Sequence, residues 1–260
     1  MGVERISTTL HSNKAKRRKS LIVFLTAGDP SLEATKKAVV RLAAIGVDLI
    51  ELGVPFSDPV ADGPVIQAAS QRALAQGTSL KKIISLVDQL RREVTIPLVL
   101  MSYYNPLLQY GLERLASDLA TAGCDGLIVP DLPLEEGSLL RKNLQEVKLA
   151  YIPLVAPNTP SERLRRITAT ASGFVYCVSL AGVTGARATL PAGIKEYLER
   201  VRKTTDLPLG LGFGISSPEQ AELLAPYCDA LIIGSKIVQS LHENGLEAGI
   251  QLVRDLHRVI

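Results

Sequence analysis

Glu51 stands in the middle of Leu49-Ile50-Glu51-Leu52-Gly53, a run that is otherwise without polar side chains. Successive side chains of a strand alternate faces, so Leu49, Glu51 and Gly53 share one face and Ile50 and Leu52 the other. A carboxylate inside an apolar strand is costly unless it is satisfied or used. Burial disfavours its charged form, raises its pKa and keeps part of it protonated near neutrality, which suits a general acid. Shortly after it, the loop Phe56-Ser57-Asp58-Pro59-Val60-Ala61-Asp62-Gly63-Pro64 carries two more carboxylates. Asp-Pro and Asp-Gly pairs are ordinary turn formers, and residue chemistry alone does not choose between Asp58 and Asp62. Tyr176, near the end of a later apolar run, either lines the same pocket or packs.

Other chemistries fit the inventory less well. The three histidines, His11, His242 and His257, lie near the two ends of the chain, away from where a three-histidine zinc site would need them. No lysine lies within the strand-like runs, which disfavours a Schiff-base lysine. Cys124, Cys177 and Cys228 are far apart, odd in number and set in apolar surroundings, with neither metal spacing nor a disulfide framework.

A second feature is anion-like. One apolar run ends in Gly210-Leu211-Gly212-Phe213-Gly214-Ile215-Ser216, and the next in Ile233-Gly234-Ser235-Lys236. Glycines let backbone N–H groups approach a phosphate, and a helix N-terminus adds a favourable dipole. Two such turns side by side favour a phosphorylated ligand over two ordinary tight turns. Gly182-Val183-Thr184-Gly185 offers a third glycine-rich end.

The elements that must hold these residues are legible. Eight short apolar runs recur: LIVFLTAG, VDLIELGVPF, PLVLMSYY, CDGLIVPD, AYIPLVAP, GFVYCVS, PLGLGFG and CDALIIGS. Runs apolar on both faces suit a buried parallel sheet. Amphipathic stretches such as SLEATKKAVVRLAAIG and SLKKIISLVDQLRREV separate them. Ser31, Ser79 and Ser161 read as helix N-caps, and Gly46 and Gly123 as C-terminal stops. Alternating β and α units imply right-handed crossovers, and eight of them favour closure into a barrel over an open doubly wound sheet. The expected fold is a single (β/α)8 TIM barrel with an extra N-terminal helix, residues 1–260 forming one catalytic domain. Its longest insertion follows the second strand, with a loop and two helical stretches on the face where such barrels carry their sites.

Composition agrees. The chain has 260 residues, 47% of them hydrophobic and 21% charged, enough for a large core. Aromatic residues make up 4% and tryptophan is absent, which argues against a nucleic-acid stacking surface. The cluster Lys14, Lys16, Arg17, Arg18 and Lys19 reads as a solvated N-terminal helix ahead of the first strand, not as a nucleic-acid or membrane patch. No apolar run reaches membrane-span length, and the N-terminus has no signal-peptide core. The expected setting is cytoplasmic, or plastidic if the source is a plant and a transit peptide has been removed.

At these residues the chain resembles the tryptophan synthase α subunit family over nearly its whole length. The matching segments are Phe24–Pro30, Glu51–Pro64, Gly126–Pro133, Ala181–Arg187 and Gly212–Ser216, with Gly234-Ser235. The long second motif, ELGVPFSDPVADGP, is the specific one. The resemblance implies retro-aldol cleavage of indole-3-glycerol phosphate to indole and glyceraldehyde 3-phosphate. It makes Glu51 the general acid/base and Asp62 the second carboxylate. Substrate-binding positions fall on Phe24, Tyr176, Thr184, Gly185, Phe213, Gly214, Gly234 and Ser235, with Thr184 closing against the Asp62 loop. It implies no cofactor in this chain, no metal, and a pyridoxal-phosphate β subunit as partner in an α2β2 tetramer, docked over the Asp58–Pro59 loop and the Tyr103–Pro106 loop. Leu180, where many bacterial members carry arginine, and the sequence of the Tyr103–Pro106 segment depart from the family pattern and bear on loop closure and coupling. A stand-alone indole-glycerol-phosphate lyase and a non-catalytic phosphosugar-binding barrel are the alternatives.

Overall fold

The computed structural model describes residues 2–179, 193–212 and 214–260. Its strands are β1 (Ser20–Thr26), β2 (Leu49–Gly53), β3 (Leu98–Met101), β4 (Gly126–Ile128), β5 (Ala150–Tyr151), β6 (Leu154–Val155), β7 (Val175–Val178), β8 (Leu209–Gly212) and β9 (Ala230–Ile233). They form one sheet in the order β5-β4-β3-β2-β1-β9-β8-β7-β6, and each pairing is parallel. The two ends of that order, β5 and β6, are pieces of one run, AYIPLVAP. The run changes partner at Pro153, which has no N–H to give. Ile152 N still donates to Leu127 O of β4 (3.0 Å), while Pro153 O accepts from Tyr176 N of β7 (3.1 Å). The eight expected runs are therefore all strands, one divided in two, and the sheet closes on itself as a (β/α)8 barrel.

The two faces of the wall explain why the runs are apolar throughout. Ile22, Leu49, Val99, Ile128, Ile152, Phe174 and Ile232 point inward and form the barrel's interior. Leu21, Val23, Ile50, Leu52, Leu100 and Leu231 point outward against the helices. Ser31 accepts from Ala34 N (3.1 Å) and Ser79 from Lys82 N (3.5 Å), as expected of N-caps. Ser161 does not cap: Pro160 holds that position without a side-chain bond, and Ser161 is already helical. Gly46 and Gly123 follow their helices at φ 94° and 81°, where a residue with a side chain would be strained. The insertion after β2 holds the helices Pro64–Ala75 and Leu80–Arg91. Tyr104–Tyr110, read from sequence as part of a loop, is a short helix whose first amide donates to Asp131 Oδ1 (2.9 Å).

The N-terminal helix, Gly2–Ala15, plugs the amino-terminal end of the barrel, with Ile6 and Leu10 completing the interior core. Around it the even-numbered runs repeat one device. Asp48, Asp125 and Asp229 each stand just ahead of a strand and accept the amide of a neighbouring one: Leu21 N (2.9 Å), Leu98 N (2.8 Å) and Leu209 N (2.8 Å). Each aspartate N–H returns a bond to the same residue's carbonyl, at 2.9, 2.8 and 2.9 Å. Ser172 does this for Tyr151 with its hydroxyl, at 2.9 Å each way. Arg5 and two residues of the basic cluster serve these carboxylates. Arg5 pairs with Asp125 and Arg18 with Asp48, and Lys14 reaches Asp229 at 3.3 Å. Lys19 Nζ donates to Cys228 O (2.8 Å). The stretch expected to be a solvated helix face is thus largely tied down, because the partners it meets lie up to some two hundred residues further along the chain. Among the described residues no helix is long and apolar enough to cross a membrane.

Candidate active site

At the carboxyl-terminal mouth, Glu51 sits on β2 with Phe24 of β1 beside it on one side and Val99 of β3 on the other. It is 0% exposed, and neither carboxylate oxygen has a hydrogen-bond partner. Burial alone pushes its pKa from 4.5 up to about 8. A carboxyl group in that environment is largely protonated at neutral pH and holds a proton that nothing else in the protein competes for.

Asp62 lies in the turn that leads into the helix Pro64–Ala75, its N–H donating to Pro59 O (3.1 Å). It is half-buried and lines the mouth with Phe24, Thr26, Gly53 and Tyr103. Tyr103, the residue before the helix Tyr104–Tyr110, holds this turn twice. Its hydroxyl oxygen accepts from Ala61 N (3.0 Å), and its O–H bonds the Asp62 carboxylate. Burial raises the Asp62 pKa and the Tyr103 bond pulls it part of the way back. Asp58 is different: it is exposed and takes the Ser57 hydroxyl at 2.5 Å. Burial and a tyrosine some forty positions away therefore distinguish two aspartates that residue chemistry did not.

Tyr176 is buried on β7, and its pKa stands well above the usual 10, through burial first and then the negative charges of Glu51 and Asp62. The phenol therefore faces the same mouth as both carboxylates from the opposite wall. Gly212 makes this geometry possible, since a Cβ there would lie 2.4 Å from Tyr176 Oη. Gly53 does the same for Phe24, whose Cζ would be 2.3 Å from a Cβ. The first glycine of GFG, read from sequence as part of an anion-binding turn, also gives clearance to an aromatic ring. Only cross-strand register could have disclosed it.

Gly214 has φ 92° and opens towards Ser179, whose Oγ is 4.0 Å from where a Cβ would be. Gly234 precedes the helical segment that starts at Ser235, and its carbonyl accepts from Ile237 N (2.8 Å) and Val238 N (3.0 Å). The amides of Ser235 and Lys236 are left at the helix's first turn, where an anion is favoured. Phe24 links this end to the carboxylates, its Cβ 3.4 Å from the position a Gly234 Cβ would take. Among the expected positions, Glu51, Asp62, Phe24, Tyr176, Gly214, Gly234 and Ser235 thus surround one mouth. Thr184, Gly185 and Phe213, with Leu180, lie outside the described residues. Sequence reasoning did not single out Tyr103 as the partner of Asp62.

The family model described as "Tryptophan synthase alpha chain" matches residues 10–258. A tryptophan synthase alpha chain from Carboxydothermus hydrogenoformans is 48% identical over 237 residues, 91% of this chain and 89% of that one. One from Rippkaea orientalis is 46% identical over 249 residues, 95% of this chain and 93% of the other. Among solved structures, tryptophan synthase from Mycobacterium tuberculosis superposes with a TM-score of 0.92 at 38% identity, covering 98% of both chains. Tryptophan synthase subunit alpha from Legionella pneumophila gives 0.92 at 37% identity, again over 98% of each. With a family model matching residues 10–258 and relatives up to 48% identical over most of both chains, the protein belongs to the tryptophan synthase alpha chain family.

Proposed function

We propose that residues 1–260 form a single catalytic domain that cleaves indole-3-glycerol phosphate into indole and glyceraldehyde 3-phosphate in tryptophan biosynthesis. The observation that carries the mechanism is Glu51: fully buried, unpartnered and with its pKa at about 8. The carbon–carbon bond breaks only if its electrons have somewhere to go. Proton transfer from Glu51 to indole C3 turns the ring into an iminium-like acceptor. Asp62 beside the ring N–H stabilises the positive charge as it develops. The carboxylate left on Glu51 then takes the proton of the adjacent chain hydroxyl. That oxygen becomes the aldehyde, and the bonding pair returns to the ring as indole departs. General acid–base help of this kind contributes roughly 10²–10⁴ in rate. Phe24 and Tyr176 enclose the ring. Gly214, Gly234 and Ser235 hold the phosphate together with Gly185, Phe213 is a further substrate-binding residue, and Thr184 locks the Asp62 loop.

In this reading the chain itself needs neither metal nor cofactor. Indole passes to a β subunit that carries pyridoxal phosphate, in an α2β2 assembly in the cytoplasm. The docking face lies at the mouth, where Val60, 84% exposed, and Leu108, 48% exposed, are apolar side chains in water; large exposed apolar groups beside a functional rim favour a partner surface. The deciding experiment is indole release from indole-3-glycerol phosphate with and without a tryptophan synthase β subunit. Release strongly stimulated by the partner is the expected result. Full activity alone would assign a stand-alone lyase, and no release under either condition would overturn the enzymatic reading.

A further inference from the structure

Besides the two oxygens of Glu51, the only other buried side-chain polar atom without a hydrogen-bond partner among the described residues is Thr26 Oγ1. Thr26 is 3% exposed and closes β1. Ile22 and Phe24 of that strand face the barrel interior, so strand alternation turns Thr26 to the same side, one layer nearer the mouth. There it stands opposite Gly53, which has no side chain to meet it, and lines the cavity that also holds Asp62. A buried hydroxyl left without a partner costs about 1–3 kcal/mol in general, so a residue that keeps one has a use for it.

The sheet order says what that use is. β1 lies between β2, which carries Glu51, and β9, which leads into Gly234 and Ser235. A substrate whose phosphate sits beyond β9 and whose reacting carbon sits at Glu51 must lay its connecting chain across β1. Resting on the proposed reaction, indole-3-glycerol phosphate brings four polar groups. The ring N–H belongs to Asp62, the hydroxyl beside the ring to Glu51, and the phosphate to the glycine-rich turns. The middle hydroxyl of the chain is left, and it crosses the strand that ends in Thr26. We propose that Thr26 is a substrate-binding residue whose hydroxyl hydrogen-bonds this middle hydroxyl. The bond contributes nothing to the electron flow. It fixes the chain's rotation, so that the scissile bond stands over the plane of the ring.

The test compares two ligands in wild type, Thr26→Val and Thr26→Ser: the substrate, and indole-3-propanol phosphate, which has the ring and phosphate but no chain hydroxyl. Thr26→Val should lower kcat/KM for the substrate roughly 3- to 10-fold, the size of one neutral hydrogen bond. The inhibition constant of the propanol phosphate should stay unchanged, and Thr26→Ser should restore the substrate value. Equal losses for both ligands, or no loss for the substrate, would overturn the assignment while leaving the lyase reaction intact. If wild type binds the propanol phosphate and yet releases no indole from the substrate, the reaction itself is wrong and the assignment falls with it. Should Thr26→Val not fold, Thr26→Ala against Thr26→Ser makes the same comparison without the added methyl group.

Discussion

The two ends of the barrel both bury carboxylates and treat them in opposite ways. At the amino-terminal end Asp48, Asp125 and Asp229 each accept a strand amide and pair with an arginine. Around Asp229, burial pushes the pKa up, but the Leu209 amide, Arg202 and Lys14 together outweigh it and hold the group below the usual aspartate range. Asp125 carries more burial than its amide and two arginines offset, and its pKa is raised. At the mouth Glu51 has the same degree of burial as Asp125, 0% exposure, and nothing to hold it. A carboxylate wired into amides and guanidinium groups fastens strands. One stripped of partners keeps its proton to higher pH, and it costs stability to keep.

The sharpest way to break this contrast is Glu51→Gln. Indole release should fall by roughly 10²–10⁴, while substrate still binds. Stability should move the other way. The native state keeps the Glu51 proton between pH 4.5 and about 8, where the unfolded chain has released it. The native form therefore binds more protons across that window, and wild-type stability falls as pH rises through it. The full effect approaches ~5 kcal/mol, from a shift of about 3.5 units at 1.36 kcal/mol each. Urea unfolding at pH 5 and pH 8.5 should show wild type losing most of this difference and Glu51→Gln almost none. Parallel pH dependences in the two proteins would remove Glu51 from the account.

The matching change at the other end is Asp125→Ala. It strands Arg5 and Arg91 and leaves the Leu98 amide without its acceptor, and removing one partner of a buried ion pair costs about 3–5 kcal/mol. The midpoint of urea unfolding should drop accordingly, with kcat of the folded fraction unchanged. A loss of kcat without loss of stability would show that the two ends are not separable.

The smallest effect is expected from Tyr103→Phe. Removing the hydroxyl takes away the bond that lowers the Asp62 pKa and leaves the burial that raises it. Asp62 would then ionise at higher pH. The acid limb of the indole-release profile should move towards alkaline pH, with activity down a few-fold near pH 6, the size of one hydrogen bond. An acid limb that stays in place would mean that Tyr103 does not set the state of Asp62.

Local chemistry was legible where a single residue contradicts its surroundings. Glu51 in an apolar strand announces both its burial and its raised pKa, and eight apolar runs separated by amphipathic stretches announce the barrel. The divided run at Pro153 was harder to see, since a proline halfway along a short run does not say that the strand changes neighbours there. What escaped was set by register and by distance along the chain. Gly212 reads as part of an anion loop until Tyr176 is seen to need its space. Lys14 and Arg18 read as solvated until Asp229 and Asp48 are placed beside them. Asp58 and Asp62 are the same kind of turn residue until Tyr103 arrives from beyond the next two helices.

The N-terminal plug also has a history in time. A ribosome delivers Gly2–Ala15 ahead of every strand, and the contacts that seat this helix become available in stages. Asp48, which accepts from Asn13, follows soon after the helix, Asp125, the partner of Arg5, comes about a hundred residues beyond the helix, and Asp229, the partner of Lys14, about a hundred residues later still. A segment synthesised before the strands is thus fully fastened only when the last of them arrives. A nascent barrel keeps its amino-terminal end unsealed until its final strand has been laid down.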